Sequence, residues 1–398
     1  MPWTETQVMD ERMSFVVDWQ REDWSVAALC RRYGVSRKTG YKWIERYQAC
    51  GLDGLKNRSS AAQRHPNEVE ASIAEAVIGV RIAHPSWGPK KIKAWLLMQR
   101  PQTAWPAPST IAELLDRRGL VRHRRRRRHV PAPGGPLSPA LAANDVWGID
   151  FKGWFRTGDG ARCEPLSLSD LASRYVLRLQ AFPRIDGEQV WPVVEAAFFE
   201  FGLPRVMRSD NGAPFASTAV GGLSRLGVRL IKAGVVPERI KPGRPQQNGR
   251  HERLHLTLKQ DTASPPAATL RAQQQRFDDF RTIFNEERPH EALSQTPPAH
   301  HYDPPPRPYS GRLRQPDYGS DQTVRRVRDN GCIKWHGSEL FISQALTGEP
   351  VGLHETDDGQ FEVRYGPIAL GAIDRDHKFT ARKAGTDAGL ARKPQPRG

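Results

Sequence analysis

Hydrophobic positions recur at two different periods along this chain. Over the first 60 residues they return every three to four positions, the interval of an amphipathic helix. This spacing predicts a helix from Glu11 to Trp19. Ser25 is placed to cap a second helix, VAALCRRY, because its hydroxyl can accept from the exposed N–H groups of the first turn. Gly34 permits a tight turn, Ser36 caps a third helix, RKTGYKWIERYQAC, and Gly51 ends it. Short helix, glycine turn, second helix is the helix-turn-helix pattern. Leu29 and Ile44 would enter its core, while Arg37, Lys38, Thr39, Lys42 and Arg46 would face the DNA major groove or its phosphates. An ordinary three-helix bundle has the same pattern. Residues 63–121 repeat the theme. A helix follows Asn67 and runs to about His84, WGPKKIKAWLLMQ starts another at Pro89, and STIAELLDRR is stopped by Gly119. Lys90 and Lys91 make this stretch a second candidate DNA-binding unit, with a helical spacer as the alternative.

From Asn144 the period changes. VWGIDFKGWF, RCEPLSLSD and YVLRLQAF read as three consecutive antiparallel strands joined by turns such as TGDG. GEQVWPVVEAAFFEFG reads as a helix with Pro192 in its first turn, where a missing N–H is tolerated. PRVMRSD is a short strand, STAVGGLSRLG a modest helix and VRLIKA a fifth strand. Two helices follow, one in RPQQNGRHERLHLTLK and one in RAQQQRFDDFRTIFNEE. Antiparallel strands followed by alternating strands and helices imply an α/β layer with a mixed sheet. Beyond the proline-rich PAHHYDPPPRPY, alternating segments around Asn330-Gly331 and Asp358-Gly359 predict hairpins of a small β-barrel or sandwich.

The pattern divides the chain into expected domains. A helix-turn-helix domain spans 1–62, a second helix-turn-helix or winged-helix-like domain 63–121, and a basic Pro/Gly linker 122–143. The catalytic core spans 144–303, a proline-rich linker 304–320, a C-terminal β-barrel 321–375 and a disordered basic tail 376–398.

Charge narrows the partners. The 398 residues carry 60 Lys and Arg against 44 Asp and Glu, a formal net charge of +16, which attracts a polyanion. Arg122 to Arg128 hold six arginines in seven positions; Arg124, Arg125, Arg126 and Arg127 would repel one another unless phosphates lie between them. No apolar run approaches the length of a spanning helix, so a membrane is not the expected partner. Cys30, Cys50, Cys163 and Cys332 are scattered without a CxxC pair, which argues against a zinc site or disulfide framework and for a reducing, cytoplasmic, nucleoid-associated setting.

Three carboxylates stand out by position. Asp150 sits mid-strand, facing away from Trp147, Ile149 and Phe151 and beside Gly148. Asp210 ends a strand and opens Asp-Asn-Gly, itself a good turn. Glu252 lies near the start of a basic helix, on the face shared by Lys259 and close to Asn248 and His255, with Leu254 and Leu258 opposite and Leu256 an awkward apolar neighbour. Each alone has an ordinary reading: an exposed strand Asp, a turn, a solvated helix. Together they supply three hard oxygen donors within one α/β unit, suited to a pair of Mg²⁺ ions.

WGIDFKGWF, RSDNGAPF and RPQQNGRHERLHLTLK resemble the strand, strand-end and helix motifs of the retroviral-integrase-type core. FNEERPHEALSQTPPAHHY, GLDGLKNRSSAAQRHPN and RRVRDNGCIKWHGSELFISQALTGEPVGL resemble bacterial insertion-sequence transposases, closest to the insertion-sequence 481 family. The resemblance extends from about Ser25 to Asp374. It implies a ribonuclease-H-like fold and an Asp-Asp-Glu triad carried onto Asp150, Asp210 and Glu252, with Lys259 contacting DNA. It also implies two Mg²⁺ ions, for which Mn²⁺ can substitute. Two departures stand out: Asp210 and Glu252 are 42 positions apart, longer than is commonest for such cores, and no His/Cys zinc unit precedes the core.

The expected function is DNA transposition: strand cleavage at the element ends, then attack of the freed 3′-hydroxyl on target DNA. The partners are double-stranded DNA, as element ends and as target, and further copies of the chain in a dimer or higher assembly. A helix-turn-helix regulator with an inactive core and a metal-dependent nuclease are the rivals.

Overall fold

The computed structural model describes residues 8–57, 69–121, 137–217, 220–241, 245–304 and 307–382. Its contacts divide the chain into two units, Met1–Glu68 and Val69–Gly398.

The first unit is three helices, α1 (Val8–Gln20), α2 (Val26–Arg32) and α3 (Arg37–Cys50), closed by a 3₁₀ turn at Gly51–Leu55. Both serine caps form. Ser25 Oγ accepts from the Ala28 N–H at 3.3 Å and Ser36 Oγ from the Thr39 N–H at 3.2 Å. Gly34 takes the left-handed conformation the turn demands, with φ 65°. Gly40, inside α3, lets α2 approach closely: a Cβ there would lie 2.4 Å from Cys30 Sγ. Phe15, Leu29, Cys30, Trp43 and Ile44 fill the core between them.

The second unit opens with α4 (Ala71–Ala83), α5 (Pro89–Gln99) and α6 (Pro108–Arg117), packed around Val77, Trp87, Ile92, Leu96, Ile111 and Leu115. Pro89 and Pro108 each begin a helix, where the absent N–H leaves nothing unsatisfied. Asn67, expected to precede α4, lies outside the described residues.

A mixed sheet follows: β1 (Val146–Phe151), β2 (Phe155–Arg156), β3 (Arg162–Asp170), β4 (Val176–Phe182), β5 (Val206–Ser209) and β6 (Val236–Arg239). β3 pairs antiparallel with β1 and β4, whereas β1, β5 and β6 run parallel. Helices α7 (Gly187–Phe201) and α8 (Arg225–Lys232) cover one face through Val190, Val194, Phe198, Leu226 and Leu230. On the other face α9 (Gly249–Thr262) and α10 (Leu270–Thr282) bury Leu254, Leu258, Phe277 and Phe280 against Cys163, Val176 and Leu179. Tyr302 and Tyr309, on either side of the prolines, pack on the α7-side core: Tyr302 stacks on Tyr175 at 4.5 Å and donates to Asn144 Oδ1 at 2.9 Å.

Three local expectations are corrected. VRLIKA is the end of α8, not a strand, and the fifth long strand is VPER. STAVGGLSRLG is no single helix: Ser217 precedes a 3₁₀ turn at Val220–Gly222, and Ser224 caps α8 by accepting from the Gly227 N–H. Leu226 and Leu230 enter the core under the sheet, while Leu223, Val228 and Ile231 join a second core; the helical interval is clear once the run is taken from Ser224, but the fragment from Val228 onward is short enough to fit strand alternation as well. Pro192 sits within α7, five positions beyond Gly187, rather than in its first turn.

That second core belongs to the C-terminal strands: β7 (Thr323–Arg326), β8 (Cys332–Trp335), β9 (Ser338–Phe341), β10 (Pro350–Glu355), β11 (Phe361–Tyr365), β12 (Ile368–Ile373) and β13 (Phe379–Ala381). Five form an antiparallel sheet in the order β13-β12-β11-β10-β7, and β8-β9 is a separate hairpin. Asp358-Gly359 turns β10 into β11 as a hairpin, with Gly359 at φ 70°. Asn330-Gly331 also turns the chain, but its flanking strands pair elsewhere, β7 with β10 and β8 with β9.

Candidate active site

Asp150 and Asp210 meet because β1 and β5 run parallel. Val146 lies beside Val206, Trp147 beside Met207 and Gly148 beside Arg208. The same register continued past the ladder sets Asp150 beside Asp210, at the carboxyl ends where functional groups of such sheets collect. The pleat turns Trp147 and Ile149 into the α7-side core and presents Gly148 and Asp150 to α9. Across β3, Asp150 pairs with Ser167 and Gly148 with Ser169, short polar side chains that leave room for the helix. At Gly148 the approach is so close that a Cβ would lie 2.3 Å from His251 Cε1.

Helix α9 grips Asp150 from above. Asn248, at its start, donates from Nδ2 to Asp150 Oδ2 at 2.6 Å. Two turns on, His255 places Nδ1 4.0 Å from the same oxygen and Nε2 2.8 Å from Ser167 Oγ. His251 Nε2 lies 3.4 Å from Ser169 Oγ. Burial holds both imidazoles neutral; His251 is pushed down to about 4, with Arg208 adding to the effect, and His255 falls further through burial, His251 and Lys152. A neutral His255 makes its approach to Asp150 polar packing, not an ion pair.

The Asp150 carboxyl is pushed up to about 7, first by burial and next by the charge of Asp210. Hydrogen bonds from Asn248 and the Phe151 backbone pull it back, and Glu252 raises it slightly. Asp210 keeps its turn as well: its Oδ1 accepts from the Gly212 N–H at 2.9 Å, so the turn and the site coexist. Glu252 is exposed in the first turn of α9 and makes no hydrogen bond or ion pair among the described residues. Among those residues no three acids, histidines or cysteines converge closely enough to enclose a metal ion. The formed part is therefore the Asp150–Asp210 pair, with Glu252 near enough to be felt at Asp150. Lys259 is exposed further along α9, and its charge, after burial, lowers the Lys152 amine. Leu256 is 56% exposed, the mismatch its position implied.

Of the other basic candidates, Arg37, Lys38 and Lys42 are exposed on α3. Thr39 Oγ1 lies 2.9 Å from Ser36 Oγ at the cap, and Arg46 reaches over the Trp43 ring at 5.1 Å. Lys90 and Lys91 do not stand free: Lys90 Nζ meets Glu291 at 3.0 Å and Lys91 donates to the Pro289 carbonyl. Arg124, Arg125, Arg126 and Arg127 lie outside the described residues.

Four family models match. A helix-turn-helix domain matches residues 11–62, a homeodomain-like domain 39–115, an integrase core domain 233–298, and the C-terminal domain of the IS481 family transposases 322–380. The matched models include a transposase domain, and the chain is similar to proteins of insertion elements. With its integrase core match, the chain has the features of a polynucleotidyl transferase of the Asp-Asp-Glu type on an α/β fold with a mixed sheet. It is 24% identical over 280 residues to an uncharacterized 39.2 kDa protein of insertion element IS476 from Xanthomonas euvesicatoria, covering 69% of this chain and 77% of that one. It is 28% identical over 263 residues to an uncharacterized 31.7 kDa protein of IS407 from Burkholderia multivorans, covering 64% and 90%. A simian T-cell lymphotropic virus intasome structure aligns at a TM-score of 0.37 and 15% identity, over 77% of this chain and 99% of that one, a likeness too distant to bear on mechanism. No helix of the described residues is long and apolar enough to cross a membrane.

The site holds residues that sequence reasoning did not assign. Asn248 and His255 were noted only as sharing the face of Glu252, and Ser167 and Gly148 were not given roles. Their signal was present: Ser167 and Ser169 alternate with Leu166 and Leu168, marking a polar face opposite a core face.

Proposed function

We propose that this protein is a transposase that cleaves DNA at the ends of its element and joins the freed 3′-hydroxyl to target DNA, with Asp150, Asp210 and Glu252 as its catalytic carboxylates. The observation that supports this most is the side-by-side placement of Asp150 and Asp210 at the ends of two parallel strands, roofed by the helix that carries Glu252. The donor set fits a hard divalent cation: all three groups offer oxygen, and Asp150 is reluctant to ionise beside Asp210 while no positive charge lies between them. Asp150, Asp210 and Glu252 would hold two Mg²⁺ ions, or Mn²⁺ in their place, with Glu252 closing onto the pair. Such ions supply activation of the attacking oxygen and neutralisation of charge on the scissile phosphate. The chain's own contribution is orientation: Asn248 fixes one oxygen of Asp150, His255 and Ser167 support it from the side, and Lys259 faces the DNA backbone. Residues 1–62 read the element ends through α3, and two copies or more bring two ends together.

The test is incubation of labelled element ends and a target plasmid with Mg²⁺. Joined products support transposition, cut products alone mean a nuclease, and bound but unchanged DNA means a regulator. Asp150→Asn, Asp210→Asn and Glu252→Gln should each abolish joining and leave end binding intact; a variant that joins at the normal rate removes its residue from the triad.

A further inference from the structure

Beside Glu252 on α9, a group of cations makes no ion pair among the described residues. Arg250 and Arg253 lie one turn apart on this helix. Arg250 donates to the Leu171 carbonyl, tying α9 to the turn that carries Arg174. Arg174 holds a left-handed backbone, φ 68°, rare for a residue with a side chain. It is half-buried and makes no hydrogen bond or ion pair among the described residues. From α5, Lys91 reaches the same region and is anchored on the Pro289 carbonyl. Next to it the His290 Nε2 is buried without a hydrogen-bond partner among the described residues.

The nearby carboxylates are already engaged. Glu291 pairs with Lys90 at 3.0 Å. Asp261 takes Ser86 at 3.1 Å and Arg288 at 3.3 Å. Asp170 accepts from the N–H groups of Asn144 and Ser173 and from the Ser173 hydroxyl. The cations consequently repel one another. Arg174 is lowered to about 10 by burial and then by Arg250 and Arg253 against the opposing charge of Asp170, and Lys91 to about 8 by burial and then Arg288, with Glu291 opposing and Arg253 adding to it. Lys91 and Arg174 are partly buried, Arg250 and Arg253 are exposed beside them, and the carboxylates within reach, Glu291 and Asp170, are held by other groups, which leaves a place for an anion.

We propose that Lys91, Arg174, Arg250 and Arg253 form a cradle for a phosphodiester group of the DNA backbone, beside the catalytic carboxylates. The inference rests on the reading of this protein as a DNA-joining enzyme and deepens it: α5 would contribute to binding through the core, not as an independent reader. Two planar guanidiniums can fork onto phosphate oxygens, and the ammonium adds a point charge.

The test uses the full chain and a short fluorescein-labelled duplex of arbitrary sequence, its affinity followed by anisotropy across a salt series. Each phosphate neutralised contributes about −0.9 to the slope of log K against log salt. Arg174→Gln with Arg253→Gln should lower the slope's magnitude by about one to two and weaken binding about tenfold at moderate salt. Arg174→Lys with Arg253→Lys should keep the wild-type slope, which separates charge from folding. An unchanged slope in the glutamine pair, or an equal loss in both pairs, overturns the cradle. The readout needs no catalysis, so its failure leaves the carboxylate assignment standing, and retained joining by Asp150→Asn would leave the cradle standing.

Discussion

Replacing Asp150 by asparagine should make the metal-free protein more stable at neutral pH while removing its activity. The carboxyl is buried beside Asp210, and its pKa in the fold is about 7 against 3.8 for the free group. A raised folded pKa means that stability is fully present below the unfolded value and is lost as pH rises through the folded one. Each pKa unit corresponds to about 1.4 kcal/mol, so the raised pKa of Asp150 destabilises the fold by roughly 4 kcal/mol at pH 8, where the buried group ionises, and by about 1–2 kcal/mol at pH 5, where it stays protonated while the unfolded chain ionises. Asparagine copies the neutral carboxyl, can still accept from Asn248, and escapes this penalty. In EDTA, thermal melts followed by fluorescence should place Asp150→Asn several degrees above wild type at pH 8. The gap should shrink toward pH 4 and stay flat above about pH 7.5. A gap that is absent, or equally large at pH 4 and pH 8, would refute the electrostatic account of the pair. Added Mg²⁺ should raise the wild-type midpoint at pH 8 and leave the variant nearly unmoved, because the ion removes the same repulsion.

Further expectations come from packing and caps. Gly148→Ala pushes a methyl into His251, so α9 must lift or the ring must turn; this should destabilise the second unit by about 1–3 kcal/mol and depress joining more strongly than DNA binding, as read by melts and strand-transfer gels. Asn248→Ala frees an Asp150 oxygen; joining should fall while DNA binding holds, and unaltered joining would show that the bond does not position the acid. Ser36→Ala removes the α3 cap and should cost about 1 kcal/mol in the first unit alone, visible as faster amide exchange in α3 with none in the core sheet.

Much of this architecture could be read from local chemistry. Ser25, Gly34, Ser36 and Gly51 punctuate the first unit where their side chains or backbone freedom are used. The alternation of Trp147, Ile149 and Phe151 against Gly148 and Asp150 gave the correct face for the acid. What escaped notice depended on partners distant in sequence. The run after Ser224 keeps its helical interval, but divided at Val228 it leaves a piece short enough to fit a strand as well. Asn330-Gly331 marked a turn but could not say that β7 would seek β10. Nothing local pointed to the contacts of Lys90 and Lys91, because Glu291 and the Pro289 carbonyl lie some two hundred positions away. Glu252 was legible as to face, yet not as to how far it stands from the other two acids.

Helix α8 has an implication for how this chain can be divided. Leu226 and Leu230 face inward beneath the catalytic sheet, Val228 and Ile231 lie among the C-terminal strands, and Lys232 holds Glu349 across the seam at 2.6 Å. Cutting the polypeptide after the prolines would strip one flank of that helix bare and leave a sticky ridge on whatever remained. The sequence looks like beads on a string, but the last two beads share a wall, and exchanging either between relatives would require the helix to be refitted along with it.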